Sequence, residues 1–255
     1  MNLKDFPLQI QQVTQVLTTL LTDVIEGIYL YGSSIDGGLQ PQSDLDFFVV
    51  VHTSLSEEQK SLLIQALLQL SGAIGNTVGL RYLEVTIMHQ EEFTALTFPL
   101  QREFQYGEWL RDAFLKGYFP EKTPDQDLTI LLRKVKQNSL VLYGKTAREV
   151  LPTISDEAFR QAIKASLPQL IQEIEEDQTN VILTLCRMLY SIQTGKITSK
   201  DRAVDYAIPY LPPSFYGLVL EAKDHYLGKS TLTPNRDKKE LQAFASTLST
   251  WIELA

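Results

Sequence analysis

The chain has 255 residues, with 23 Lys and Arg against 31 Asp and Glu, a formal net charge of -8 and a hydrophobic share of 44%. That is ample for the cores of one large domain or two small ones, and the acidic balance argues against broad phosphate-backbone binding. No run approaches the roughly 18 apolar residues of a membrane span, and Met1-Asn2-Leu3-Lys4-Asp5 lacks the layout of a secretory signal. The single cysteine, Cys186, forms no internal disulfide, and no Cys/His spacing resembles a zinc site. These readings exclude nucleic-acid and membrane partners and place the chain in the cytoplasm.

Residues 8 to 25 carry Leu, Ile and Val at helical spacing until Gly27, which predicts a helix before the first strand. "GIYLY" (27 to 31) and "LDFFVVV" (45 to 51) read as strands, "SEEQKSLLIQALLQL" (56 to 70) as a helix capped by Ser56, and "RYLEVTIM" (81 to 88) as a third strand. From about residue 125, "DQDLTILLRKVKQNSLVLYG", "SDEAFRQAIKASLPQLIQEIEE" and "TNVILTLCRMLYSIQTG" run at the helical period, so the second half is expected to be all helix. Pro152, followed by the N-cap candidate Ser155, marks the expected boundary between a domain over residues 1 to 153 and another over 154 to 255.

The strand at 45 to 51 opens on two acids. In an extended chain residues i and i+2 project from one face about 6.6–6.8 Å apart, so Asp44 and Asp46 converge while Leu45 turns away. Two such charges at about 4 Å repel by roughly 4 kcal/mol at an effective dielectric near 20, and a divalent cation reverses that cost. Oxygen-only ligands point to Mg²⁺, which leaves its other positions to water and phosphate. Asp-x-Asp alone is a weak signal, and it recurs at Asp125-Gln126-Asp127, where Asp127 reads as the N-cap of the next helix. The first pair is distinguished by Gly32-Ser33 one strand earlier, a break where backbone N–H groups can face a phosphate. Glu84 interrupts the third strand, with Tyr82 and Thr86 on its face and Leu83, Val85 and Ile87 on the other. Taken singly it would be an edge-strand glutamate; with the two aspartates it completes a carboxylate set suited to two-metal phosphoryl transfer.

Gly-Ser, a spacer of ten residues, Asp-x-Asp and a later strand carboxylate resemble the polymerase-β-like nucleotidyltransferase superfamily. "LYGSSIDGGLQPQSDLD", "LEVTI", "REFQYGEWLR", "NVILTLCRMLYSIQTGKITSKD" and "YAIPYLP" resemble, in this order, the bacterial aminoglycoside nucleotidyltransferases that adenylylate spectinomycin and streptomycin. The resemblance implies an α+β fold, with a mixed-sheet nucleotidyltransferase domain followed by an all-α helical bundle that completes the ATP and drug site. It implies that Asp44, Asp46 and Glu84 hold two Mg²⁺ ions with ATP as co-substrate, Glu84 also being the general base. Gly32, Ser33 and Ser43 would meet the triphosphate, with Arg187, Lys200 and Tyr226 from the helical half; Asp127 aligns with an aspartate that faces the nucleotide, beside its N-cap reading. For the aminocyclitol antibiotic it points to Trp109, Asp177 and Asn180. Without the family match, Trp109 would pack a domain interface and the acids around Asp177 would be a solvated helix end. Lys196 reads as a solvent lysine.

Members that accept streptomycin carry a Trp- and Asp-bearing segment just before the position of Asp177. Here "LIQEIEEDQTN" is shorter and has no tryptophan, so the chain resembles the branch that modifies only the 9-hydroxyl of spectinomycin. Streptomycin 3''-adenylylation, and a non-catalytic nucleotide-binding regulator or antitoxin on the same fold, are the alternative readings. A monomer is expected.

Overall fold

A computed structural model describes residues 7–40, 43–73, 79–230 and 236–255. The chain forms two compact units, the first carrying the residues up to Leu39 and from Ser43 to Thr153, the second Ile154 to Ala255.

The first unit begins with helix α1 (Leu8–Leu20), which buries Ile10, Val13, Thr14 and Leu17. Strand β1 (Ile25–Tyr31) follows. The helix therefore stops earlier, and the strand starts two residues earlier, than the spacing predicts, and Gly27 lies within the strand. A register shift falls between Ile25 and Gly27, and a Cβ on Gly27 would overlap the Tyr29 ring, so a bulge and a close ring account for the glycine. Next come β2 (Leu45–Val51), α2 (Glu57–Leu70) and β3 (Leu83–His89). Ser56 caps α2 in a capping box: it accepts from Gln59 N, while Gln59 Oε1 accepts from Ser56 N.

After β3 come α3 (Glu92–Ala95), β4 (Leu100–Arg102), β5 (Phe104–Gly107), a 3-10 turn over Glu108–Leu110 and α4 (Arg111–Leu115). The unit ends with β6 (Thr123–Asp125), α5 (Leu128–Gln137), β7 (Leu140–Gly144) and α6 (Ala147–Val150).

The expectation of helix throughout residues 125 to 144 is corrected here. α5 ends at Gln137, and Leu140–Gly144 is a strand paired antiparallel with β1. In "LVLYG" the leucines lean on the core while Val141 and Tyr143 stay exposed, the period-2 pattern of a half-buried edge strand. Gly144 has φ +80, and a Cβ there would strike the carbonyl oxygen of Glu26.

The main sheet runs β5-β3-β2-β1-β7, with β2 and β3 parallel and the other neighbours antiparallel. One face carries Ile28, Leu30, Phe47, Val49, Val85 and Ile87 into a core shared with α1 and α2. Burial of this face is the main stabilising term, at roughly 25 cal/mol per Å² of apolar surface. β4 and β6 form a separate ribbon.

The second unit is helical: α7 (Asp156–Gln172), α8 (Gln178–Thr194), α9 (Lys200–Ala207), α10 (Tyr216–Tyr226) and α11 (Lys238–Leu254). Ser155 caps α7 by accepting from Ala158 N, and Gly195 closes α8 at φ +68. α8 packs against α7, α9, α10 and α11, and is buried from Val181 to Leu189 along most of its circumference. Cys186 is fully buried there, and burial pushes its thiol up to about 12, so it acts as a small core residue. Among the described residues no helix is long and apolar enough to cross a membrane.

Candidate active site

Strand register sets one row of residues across the face of the main sheet opposite the α1–α2 core. Tyr31 on β1 is opposite Asp46 on β2, Asp46 opposite Glu84 on β3, and Glu84 opposite Gly107 on β5. Adjacent strands lie about 4.7–4.9 Å apart, so the Asp46 and Glu84 carboxylates rise from neighbouring positions on one face. Asp44 immediately precedes β2, half-buried like Asp46, with the buried Leu45 between them turned into the core.

The turn after β1 closes against this row. Gly32 adopts φ +74, and a Cβ there would collide with Asp46 Oδ2. Gly32 O accepts from Ile35 N at 3.1 Å and from Asp36 N at 2.9 Å, and Ser34 Oγ donates to Tyr31 O at 2.8 Å. Ser33 sits half-buried in this tight turn. Ser43 is buried, and its carbonyl accepts from Arg81 Nη1 at 2.9 Å.

Charge crowding is felt throughout the row. Glu84 is pushed up to about 8, first by burial and then by the charge of Asp46; Lys134 opposes the shift, Asp44 adds to it and Arg102 opposes it. Tyr31 is raised well above the usual tyrosine range by burial and then by the charges of Glu84, Asp46 and Asp44, against a hydrogen bond with Thr86. Lys134, on α5, stands 5.0 Å from the centroid of the Tyr31 ring. Arg102 Nη1 donates to Asp125 Oδ2 at 2.6 Å, and Asp125 Oδ1 accepts from Asp127 N at 2.8 Å. Asp127 does stand at the N-cap position of α5, but its side chain makes no capping hydrogen bond. The N-cap expectation is corrected to that extent: the carboxylate serving the helix start is Asp125, two residues earlier.

Trp109 lies in the 3-10 turn after β5 with its indole over Gly107, where a Cβ would overlap the ring, and is 56% exposed. So placed, it keeps more than half of its surface exposed.

In the second unit, residues assigned from sequence to two different ligands meet. Lys200 Nζ donates to Asn180 Oδ1 at 2.8 Å and stands 5.4 Å from the Tyr226 ring centroid. Asn180, Thr184 and Arg187 lie on one half-buried stripe of α8. Asp177 is the N-cap of α8, accepting from Asn180 N at 3.2 Å. Lys196 is exposed, as a solvent lysine would be.

Two family models divide the chain. Residues 11–94 match the polymerase beta nucleotidyltransferase domain, and residues 149–250 match the C-terminal domain of aminoglycoside adenylyltransferases. A spectinomycin 9-adenylyltransferase of Campylobacter jejuni is 38% identical over 99% of this chain and 98% of its own length. The chain belongs to the aminoglycoside adenylyltransferase family. A spectinomycin 9-adenylyltransferase of Staphylococcus aureus is 42% identical over 88% of this chain and 86% of its own length. An aminoglycoside (3'') (9) adenylyltransferase of Klebsiella pneumoniae is 37% identical over 89% and 88%. The crystal structure of the spectinomycin adenyltransferase AAD(9) of Enterococcus faecalis with ATP and spectinomycin superposes at a TM-score of 0.90 and 36% identity, over 96% of this chain and 98% of that one.

In this adenylyltransferase fold the acid row fits a hard cation by its donor chemistry. Among the described residues no three His, Cys, Asp or Glu side chains are already gathered into a group that could hold a metal ion. Asp46 and Glu84 are nevertheless register partners, and burial together with the Asp46 charge raises the Glu84 carboxyl to about 8. Mg²⁺ is commonly bound by one or two carboxylates, with phosphate oxygens and water completing its shell, and such a pair supplies that number.

Sequence reasoning missed Tyr31, Lys134 and Arg102. Tyr31 belongs to the apolar "IYLY" run and reads as core; only the register shows that it ends the acid row. Lys134 and Arg102 had no local signal, because what marks them is their field on Glu84.

Proposed function

We propose that this adenylyltransferase transfers AMP from ATP to the 9-hydroxyl of spectinomycin and releases pyrophosphate, which confers resistance to the drug. The observation that carries the reading is the in-register Asp46–Glu84 pair beside the Gly32 turn, in a chain that matches a spectinomycin 9-adenylyltransferase along nearly its whole length.

The drug oxygen forms a bond to the α-phosphorus as the α-phosphorus–oxygen bond to the β-phosphate breaks, and pyrophosphate leaves with that electron pair. The hydroxyl proton passes to the Glu84 carboxylate, which a bound cation would hold ionised against the burial and acid crowding that raise it in the ligand-free protein. Asp44, Asp46 and Glu84 would hold Mg²⁺, which neutralises triphosphate charge and orients the phosphates. The amides and hydroxyls of Gly32, Ser33 and Ser43 bind phosphate oxygens, as backbone donors at a tight glycine turn do. Arg187 and Lys200 supply counter-charge for the triphosphate, Lys200 being pre-set by Asn180 and the Tyr226 ring. Asp127, from the first unit, faces the nucleotide. Trp109 gives the drug an apolar face, while Asp177 and Asn180 bind its cationic and hydroxyl groups. The protein works as a monomer in the cytoplasm.

The (3'') (9) relative favours one second reading, in which streptomycin is also accepted. Against it, Glu175 in the short α7–α8 turn is already held by Lys238 Nζ at 2.6 Å, which ties up one of the acids that could take the place of the missing segment. The deciding experiment incubates purified protein with ATP, Mg²⁺ and either drug and weighs the products. An AMP adduct on spectinomycin alone is expected. Adducts on both drugs overturn the narrow specificity, and no adduct on either overturns the enzyme reading in favour of a nucleotide-binding regulator.

A further inference from the structure

We infer that Glu108 is a positioning residue that sets the separation between the acid row and Trp109, through a buried hydrogen-bonded network anchored on Ser71. The inference rests on the proposed roles of Glu84 and Trp109.

The network joins the immediate neighbours of those two residues. Leu83, which precedes Glu84, donates its backbone N–H to Ser71 Oγ at 3.1 Å. Ser71 Oγ in turn donates to Glu108 Oε2 at 2.5 Å, and Glu108 precedes Trp109. The Ser71 hydroxyl thus uses its one donor on the carboxylate and one lone pair on the strand. Tyr106 OH donates to the same Glu108 Oε2 at 3.3 Å.

Arg111 clasps the carboxylate from the far side, with Nε on Glu108 Oε1 and Nη2 on Glu108 Oε2 at 3.1 Å. Its Nη2 also donates to Leu68 O at 3.1 Å and Ser71 O at 3.0 Å, tying the end of α2 into the same knot. Glu108 is only 6% exposed. The guanidinium, a hydroxyl and a phenol together satisfy this deeply placed side chain.

A sheet with an apolar core does not need this ion pair to fold, since buried pairs are poor contributors to net stability. What the pair supplies is geometry. Strand pairing alone fixes Gly107 opposite Glu84, but β5 ends at Gly107 and the Trp109 backbone lies beyond the ladder. The Glu108 carboxylate restores the connection past the strand end, so that the indole stands at a fixed distance from Glu84. A glycine under the ring then lets the indole lie flat on the strand.

The test uses Ser71→Ala and Glu108→Gln in a Trp251→Phe background, which leaves Trp109 as the single tryptophan of the chain. Lys60→Met is the structural comparison: its pair with Glu103 is equally buried, at 3.6 Å, and lies outside the network. Both network variants are expected to lower kcat/KM for spectinomycin by about 10- to 100-fold, the scale of an ångström-sized misplacement. They should leave the KM for ATP unchanged, and they should red-shift Trp109 emission and lower its anisotropy. Lys60→Met should lower the melting temperature without moving the Trp109 signal. An inactive Trp251→Phe parent and inactive wild type would sink the enzyme reading itself. An active parent whose Ser71→Ala and Glu108→Gln forms keep both kcat/KM and the Trp109 signal overturns the positioning role, and so does a loss no larger than that of Lys60→Met at equal loss of stability.

Discussion

Asp46 Oδ2 lies against the Cα of Gly32, in the space that a Cβ at that position would occupy. The glycine is therefore required twice, for its φ of +74 and for the carboxylate it admits. Gly32→Ala should cost about 1–2 kcal/mol in backbone strain and displace Asp46, lowering kcat/KM by roughly 100-fold. Gly38→Ala separates the two effects, because Gly38 has φ +86 with nothing within 4 Å of its Cβ position. It should show the strain in a urea melt and keep its turnover; equal losses of activity in both variants would show that backbone strain alone, not displacement of Asp46, is responsible.

The raised Glu84 carboxyl links stability to pH. Its folded value of about 8 lies above the unfolded value of 4.5, so between these limits the folded state holds a proton that the unfolded chain has released. Stability of the ligand-free protein therefore falls as pH rises through this window. Glu84→Gln removes the group, and its melting temperature should exceed that of wild type increasingly from pH 5 to pH 8, by about 2–4 °C for each kcal/mol relieved. The same variant should lose nearly all turnover. Because the Lys134 ammonium lowers the Glu84 value, Lys134→Met should extend the fall of stability to higher pH. Parallel melting curves for wild type and Glu84→Gln would show that the carboxyl is not perturbed.

Local chemistry made part of this molecule legible in advance. β2 begins and ends where alternation and β-branching place it, and Ser56 and Ser155 cap the helices that follow them. The acid pair was visible because charges at the head of an apolar strand need a reason. β7 was not, because "LVLYG" satisfies both periods over five residues, and only pairing with β1 decides between them. Contacts made across long stretches of chain left no trace in the sequence: Ser71 and Glu108 are 37 positions apart, and nothing local joins them. Asn180 and Lys200 were assigned to drug and nucleotide respectively, and the fold hydrogen-bonds them to each other.

Asp125 serves two elements at once, holding Arg102 on β4 and the amide of Asp127, the N-cap residue of α5. Asp125→Ala should cost about 1–3 kcal/mol, combining the loss of an N-terminal acceptor with a charged hydrogen bond in a half-buried site. Asp125→Asn keeps an acceptor for Asp127 N and should recover part of that loss in denaturant titrations. If Asn and Ala are equally destabilising, the ion pair with Arg102 carries the whole effect and the helix start carries none.

Lys200 donates a hydrogen bond to Asn180 and stands over the Tyr226 ring. An ammonium positioned by such contacts meets an incoming anion at a lower ordering cost than a freely rotating lysine. Lys200→Met should raise the KM for ATP by about tenfold, the scale of one charged hydrogen bond. Asn180→Ala should then weaken ATP as well as the drug, because it releases Lys200, whereas Thr184→Ala, whose hydroxyl donates to Asn180 at a looser 3.4 Å, should do less. Steady-state kinetics with each substrate varied in turn separates the two roles. An Asn180→Ala enzyme whose KM changes for spectinomycin alone would show that the Lys200 contact does not position the ammonium for the nucleotide.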